Sequence, residues 1–62
     1  MLWQKGKGCE VSGDYRLRHN ERGYELWYFG VHESIILGRD IPFRELAEGL
    51  AVTHTKMKSA RR

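Results

Sequence analysis

Hydrophobic positions follow two rhythms along this chain. From Tyr15 to His19 they alternate with polar ones, and from Phe43 to Met57 they recur every three or four residues. The densest stretch is Tyr24-Glu25-Leu26-Trp27-Tyr28-Phe29, which holds four of the seven aromatic residues and one charge. Aromatic enrichment favours a pleated strand. Side chains of a strand point alternately to its two faces, so Tyr24, Leu26 and Tyr28 share one face and Glu25, Trp27 and Phe29 the other. Both faces carry large apolar groups, yet the chain offers one good helix to cover them. One aromatic face is left for a partner.

Tyr15-Arg16-Leu17-Arg18-His19 alternates in the same way, with Tyr15, Leu17 and His19 on one side and the two arginines on the other. Asn20-Glu21-Arg22-Gly23 is a short polar loop whose glycine suits a positive φ, so this segment and the aromatic strand form a hairpin. If Leu17 and Leu26 share the buried face, Arg16, Arg18, Trp27 and Phe29 share the outer one. Gly30-Val31-His32-Glu33-Ser34 closes a second hairpin onto a short strand, Ile35-Ile36-Leu37, which ends at Gly38; Arg39 and Asp40 lead out of the sheet. Asp40 is placed to cap the following helix, with Pro42 in its first turn.

Phe43, Leu46, Ala47, Leu50, Ala51, His54 and Met57 mark one face of an amphipathic helix. The predicted contact with the sheet runs through Phe43, Leu46, Leu50 and Met57. Glu45 and Glu48 near its start, and Lys56 and Lys58 near its end, complement the helix dipole. Gly49 costs such a helix roughly 1 kcal/mol against alanine; a close approach to the sheet would explain it. The expected fold class is α+β, a three-stranded antiparallel sheet packed against one C-terminal helix (βββα), spanning residues 15–57. Residues 1–14 read as a flexible basic arm through Gln4-Lys5-Gly6-Lys7-Gly8, with a short strand at Cys9 to Val11. Residues 58–62 read as a frayed basic tail.

Sixty-two residues make one domain, with little core to spare for a deep catalytic cavity. The expectation is therefore no enzyme and no cofactor. The net charge of +3 suits a phosphate polyanion or an acidic protein surface. Cys9 is the single cysteine, which excludes an internal disulfide and suits a reducing cytoplasm. No apolar run approaches the ~20 residues that span a bilayer, and no secretory signal is recognisable, so no membrane partner is expected. Gly6-Lys7-Gly8 lacks the spacing of a phosphate-binding P-loop. Cys9, His19, His32 and His54 match no compact zinc pattern. Ser34 forms no nucleophile pair with any histidine. His54 reads as a packed histidine, and Glu10, Asp14 and Glu21 as surface charge.

The arm Lys5-Gly6-Lys7, the run Tyr15-Arg16-Leu17-Arg18-His19-Asn20 before a glycine and an aromatic strand, and Leu37-Gly38-Arg39-Asp40 before a helix together resemble the arm-type DNA-binding domain at the N-terminus of lambda-like tyrosine recombinases, the phage integrases. The resemblance extends from about Tyr15 to Met57, and no recombinase catalytic domain accompanies it. It implies a sheet that enters the major groove, an arm that helps grip the duplex, and contacts to DNA from Arg16, Arg18 and Arg22. Arginine reads guanine in pairs of hydrogen bonds there, and cations hold the phosphates. The expected function is non-catalytic binding of double-stranded DNA, for a phage or mobile element, by Lys5, Lys7, Arg16, Arg18, Arg22, Trp27 and Arg39. The alternative is a small phage-type module that binds a host protein, or itself, through Trp27 and Phe29, since exposed apolar patches mark protein contacts. Stacking of single-stranded bases on the aromatics is a third possibility.

Overall fold

The computed structural model describes residues 2–60. Five strands and one helix follow in order: β1 (Gln4–Lys5), β2 (Glu10–Ser12), β3 (Tyr15–Asn20), β4 (Gly23–Phe29), β5 (Ser34–Ile41) and α1 (Arg44–Ala60). The strands form one antiparallel sheet in sequence order, β1-β2-β3-β4-β5. The α+β class and the C-terminal helix stand as expected, but the sheet has five strands where three were expected.

Both additional strands lie within the stretch read as an arm: β2 falls on the short strand expected at Cys9 to Val11, while β1 was not expected. The glycines of that stretch make a tight turn there. Gly6 N–H donates to the Cys9 carbonyl at 2.8 Å, and Gly8 adopts φ 76°, a left-handed conformation that glycine reaches without strain. The turn brings Lys5 opposite Glu10, and β2 then pairs with β3.

The register of β3 on β4 sets the two faces. Leu17 lies opposite Leu26, Tyr15 opposite Tyr28 and Arg16 opposite Trp27. Leu17 and Leu26 are the largest fully buried side chains, each stabilising the fold by roughly 1.5–3 kcal/mol. The two-residue turn between these strands is held by Arg22 N–H donating to Asn20 Oδ1 at 2.8 Å. Gly23 then takes φ 134° where the β5 backbone passes close by.

Strand β5 runs on through Ile41, past the expected end at Gly38, because two irregularities keep it in register. Between Trp27 and Tyr24, β4 advances three residues while β5 advances five, from Ile36 to Ile41. Extra residues of this kind are β-bulges. Asp40 sits in the second with φ 54°, a left-handed conformation that aspartate tolerates better than most side chains. It therefore does not cap α1. The helix starts at Arg44, and the Phe43 carbonyl accepts its first bonds from Leu46 and Ala47.

The helix lies on β4 and β5, and it buries a different stripe from the one expected. Ala47 and Ala51 are fully covered, whereas Phe43, Leu46, Leu50 and Met57 stay 40–62% exposed. The reason is space. Tyr15 and Tyr28 stand up from the sheet as part of the core, and only alanines let the helix backbone come down beside them. Trp3, Tyr24 and Leu37 close the margins of this core. At Gly38 a Cβ would stand 3.1 Å from Leu50 Cδ1, so the close helix–sheet approach uses this glycine. Gly49 has open space around it, which removes the packing explanation.

Ionic contacts fix the start of the helix. Arg44 pairs with Glu10 on β2 through both carboxylate oxygens and with Glu48 at 2.6 Å. Glu10 is thus a structural partner rather than the free surface charge expected. The Arg44 guanidinium holds the Glu10 carboxyl below the usual carboxylate range, and the two acids raise the guanidinium still further. Helical structure continues through Lys58, where a frayed tail was expected. The Lys58 ammonium lies 4.4 Å from the centre of the Tyr28 ring, and its interaction with the Tyr28 hydroxyl raises its pKa. Arg61 and Arg62 of that expected tail, and Met1 of the expected arm, lie outside the described residues.

Candidate nucleic-acid interface

The face turned away from α1 follows from the β3–β4 register. Arg16 and Arg18 project from β3, and Glu25, Trp27 and Phe29 from β4, onto the side that no helix covers. Alternation alone predicts this group, and the structure assembles it. An open groove of about 480 Å³ runs across the face, lined by Lys7, Gly8, Cys9, Arg16, Arg18, Trp27 and Phe29.

Its floor is aromatic. Trp27 and Phe29 stack with their centroids 5.9 Å apart and their planes within 8°. The Trp27 indole N–H donates to Glu25 Oε1 at 2.8 Å, which fixes the ring and consumes its polar atom. Arg16 carries its guanidinium 5.7 Å from the Phe29 centroid and donates to the Gly13 carbonyl at 2.9 Å and the Tyr15 carbonyl at 3.1 Å. Both carbonyls are bonded to its Nη1, so the other guanidinium nitrogens keep their N–H groups for a ligand. Among the described residues Arg18 makes no ion pair, although Glu25 lies opposite it in the ladder. Lys7 enters from the β1–β2 turn, together with the half-buried thiol of Cys9.

The remaining predicted contact residues separate from this cluster. Lys5 lies opposite Glu10, which reaches Arg44 on the helix, so Lys5 belongs to the helix side of the sheet. Arg22 and Arg39 line a second cleft, of about 600 Å³, with Asn20, Glu21, Glu25 and Asp40. That cleft is larger, but its three carboxylates outnumber its two arginines, so it is a poor cradle for phosphate. The first groove has three cations and a single acid at its margin.

Alternation on β3 and β4 reveals Arg16, Arg18, Trp27 and Phe29, whereas Cys9 was not among the predicted contacts. Cys9 reaches the groove only because residues 4–12 fold back as a hairpin. A glycine pair bracketing one lysine, next to the alternating segment Cys9-Glu10-Val11, is the sequence signal that could have found that hairpin. Among the described residues, no three His, Cys, Asp or Glu side chains gather as metal ligands. No described helix is long and apolar enough to cross a membrane. No family model, curated protein sequence or solved structure matches the chain.

Proposed function

We propose that the chain is a non-catalytic DNA-binding module of the kind phages and mobile elements carry, and that the outer sheet face is its contact. The observation that carries this reading is the convergence of Lys7, Arg16 and Arg18 over the Trp27–Phe29 stack in one open groove. Lys7, Arg16 and Arg18 at the rim hold phosphate oxygens, while the aromatic floor meets bases. The footprint is narrower than the sequence alone implies. Lys7, Arg16, Arg18 and Trp27 form it, and the β1–β2 hairpin takes the part of the flexible arm.

Binding of the full chain to a mixed-sequence duplex, followed by fluorescence anisotropy over a range of salt, tests this. Three phosphate contacts give a log–log salt slope near −3, at roughly −0.9 per contact. Arg16→Glu with Arg18→Glu should abolish binding while the chain still folds, at a somewhat lower melting temperature, because Arg16 gives up its bonds to the Gly13 and Tyr15 carbonyls and the new acid at position 18 faces Glu25. No binding at low salt, or a silent arginine pair, overturns the proposal. The matching single strand belongs in the same titration, because an aromatic floor also suits unpaired bases.

A protein partner is the second reading, favoured by the apolar floor of Trp27, Phe29 and Cys9 and by the exposure of Phe29. For such a partner Trp27→Ala is the most damaging change and salt matters little.

A further inference from the structure

The helix carries two apolar stripes, and its own sheet uses one of them. Ala47, Ala51 and His54 face the sheet. Beside them run Phe43, Leu46, Leu50, Thr53, Met57 and Ala60, in alternating steps of three and four. This is the a/d repeat of a coiled-coil seam. Its four large side chains are 62%, 53%, 40% and 62% exposed, in the order Phe43, Leu46, Leu50, Met57. The seam flanks β5, where Leu50 approaches Gly38, and β5 is an outer strand. The opposite flank is closed by Arg44, Glu48 and Glu10.

We propose that this seam joins two copies of the chain, helix against antiparallel helix, about a two-fold axis. Charge argues for a copy. All five charged residues of the helix, Arg44, Glu45, Glu48, Lys56 and Lys58, lie off the seam, so among the described residues no charged side chain stands in the contact between two chains of net charge +3. Shape argues for the same partner. An antiparallel pairing of a with d sets Phe43 opposite Ala60, Leu50 opposite Thr53 and Leu46 opposite Met57 of the second copy, so the bulkiest residue meets the smallest.

Size bounds the strength of the contact. The seam is about 26 Å long at 1.5 Å per residue. It exposes on the order of 500 Å² of apolar surface per chain, which places the pair at the small end of specific interfaces, where weak, reversible association is the rule. Strand addition contributes little, because the β5 edge is bulged at Leu37 and again at Arg39–Asp40. The proposal is independent of DNA binding, since the groove lies on the other face of the sheet.

Sedimentation equilibrium of the full chain from about 1 μM to about 1 mM tests it, a range that covers micromolar to near-millimolar dissociation constants. The mass should rise from 7.3 kDa towards twice that value and stop there. Leu46→Glu should raise the Kd at least about tenfold by placing a charge in the seam, with the dilute melting curve unchanged. Met57→Glu, at the other end, should do the same and serves if Leu46→Glu misfolds. Trp27→Ala should leave association intact. A monomer throughout, growth past two copies, or association lost in Trp27→Ala but kept in both seam variants would overturn the proposal.

Discussion

The phenol oxygen of Tyr15 lies 2.8 Å from Nδ1 of His54 and ties the middle of the sheet to the last turns of the helix. Thr55 Oγ1 donates to the same phenol at 3.0 Å and shares its hydrogen with the Ala51 carbonyl at 2.9 Å. The His54 ring stands edge-on to Tyr15 and packs against Tyr28, while Lys58 reaches over Tyr28 from the next turn. A helix that buries only two alanines has little apolar grip, so polar contacts to two tyrosines supply much of its hold.

Tyr15→Phe keeps the ring and removes the oxygen. It leaves the His54 nitrogen without its partner and Thr55 with one acceptor fewer. The expected cost is about 1 kcal/mol, typical of a part-buried hydrogen bond. Urea unfolding should show a lower midpoint at an unchanged slope. Tyr28→Phe should act on the same helix end by weakening the hold on Lys58. Equal stability of Tyr15→Phe and the parent would mean that the aromatic contacts alone seat the helix.

Two glycines should respond to alanine with opposite signs. At Gly49 a Cβ meets nothing, and alanine is the better helix former, so Gly49→Ala should stabilise by up to about 1 kcal/mol. At Gly23 the backbone has φ 134°, and a Cβ would run into the Ile41 carbonyl across the sheet. Gly23→Ala should therefore destabilise by about 2 kcal/mol or more. Thermal melts of the two variants beside the parent check both signs.

How much of this fold was legible depends on what each segment needs in order to form. The Leu17–Leu26 register could be read, because two large aliphatic residues within alternating strands have one buried solution, and with them came the outward arginines and Trp27. The β1–β2 hairpin could not, although a short strand was expected where β2 lies. Strands of two and three residues are too short for a period, and Gly6 and Gly8 read equally as slack chain or as a turn. The helix face was misread because hydrophobicity ranks leucine and phenylalanine above alanine. The room beside two standing tyrosines, a tertiary quantity, made the choice. The bulges of β5 were hidden for the same reason, since only the partner strand shows that Leu37 and Asp40 are supernumerary.

The hairpin makes Lys5 and Lys7 unequal, although in sequence they look alike. Lys7 lines the groove with Arg16 and Arg18, and Lys5 faces Glu10 on the helix side. If the outer face binds DNA, Lys7→Ala should weaken binding and lower the salt slope by about one contact, near 0.9 in log–log terms. Lys5→Ala should leave the slope unchanged. Anisotropy titrations at three or more salt concentrations separate the two. Equal losses from both substitutions would mean that the hairpin opens and grips as a mobile arm.

Glu10 links that hairpin to the helix and should give stability a dependence on acid. Its folded pKa is lowered, chiefly by the hydrogen bonds from Arg44, from an unfolded value near 4.5. A group lowered in this way binds fewer protons when folded. Its contribution is complete above about pH 4.5 and is lost as the pH falls through the folded value. The side chains are about a third exposed, at 34% for Arg44 and 31% for Glu10, so solvent screening holds the contribution to about 0.5–1 kcal/mol. Arg44 keeps Glu48 as a partner if Glu10 is neutralised, which limits the loss further. Glu10→Gln should therefore be less stable than the parent at pH 7, with the difference closing as the pH is taken towards 3. Urea midpoints at a series of pH values measure that gap. A gap that persists unchanged in acid would show that Glu10 acts through the shape of its side chain and not through its charge.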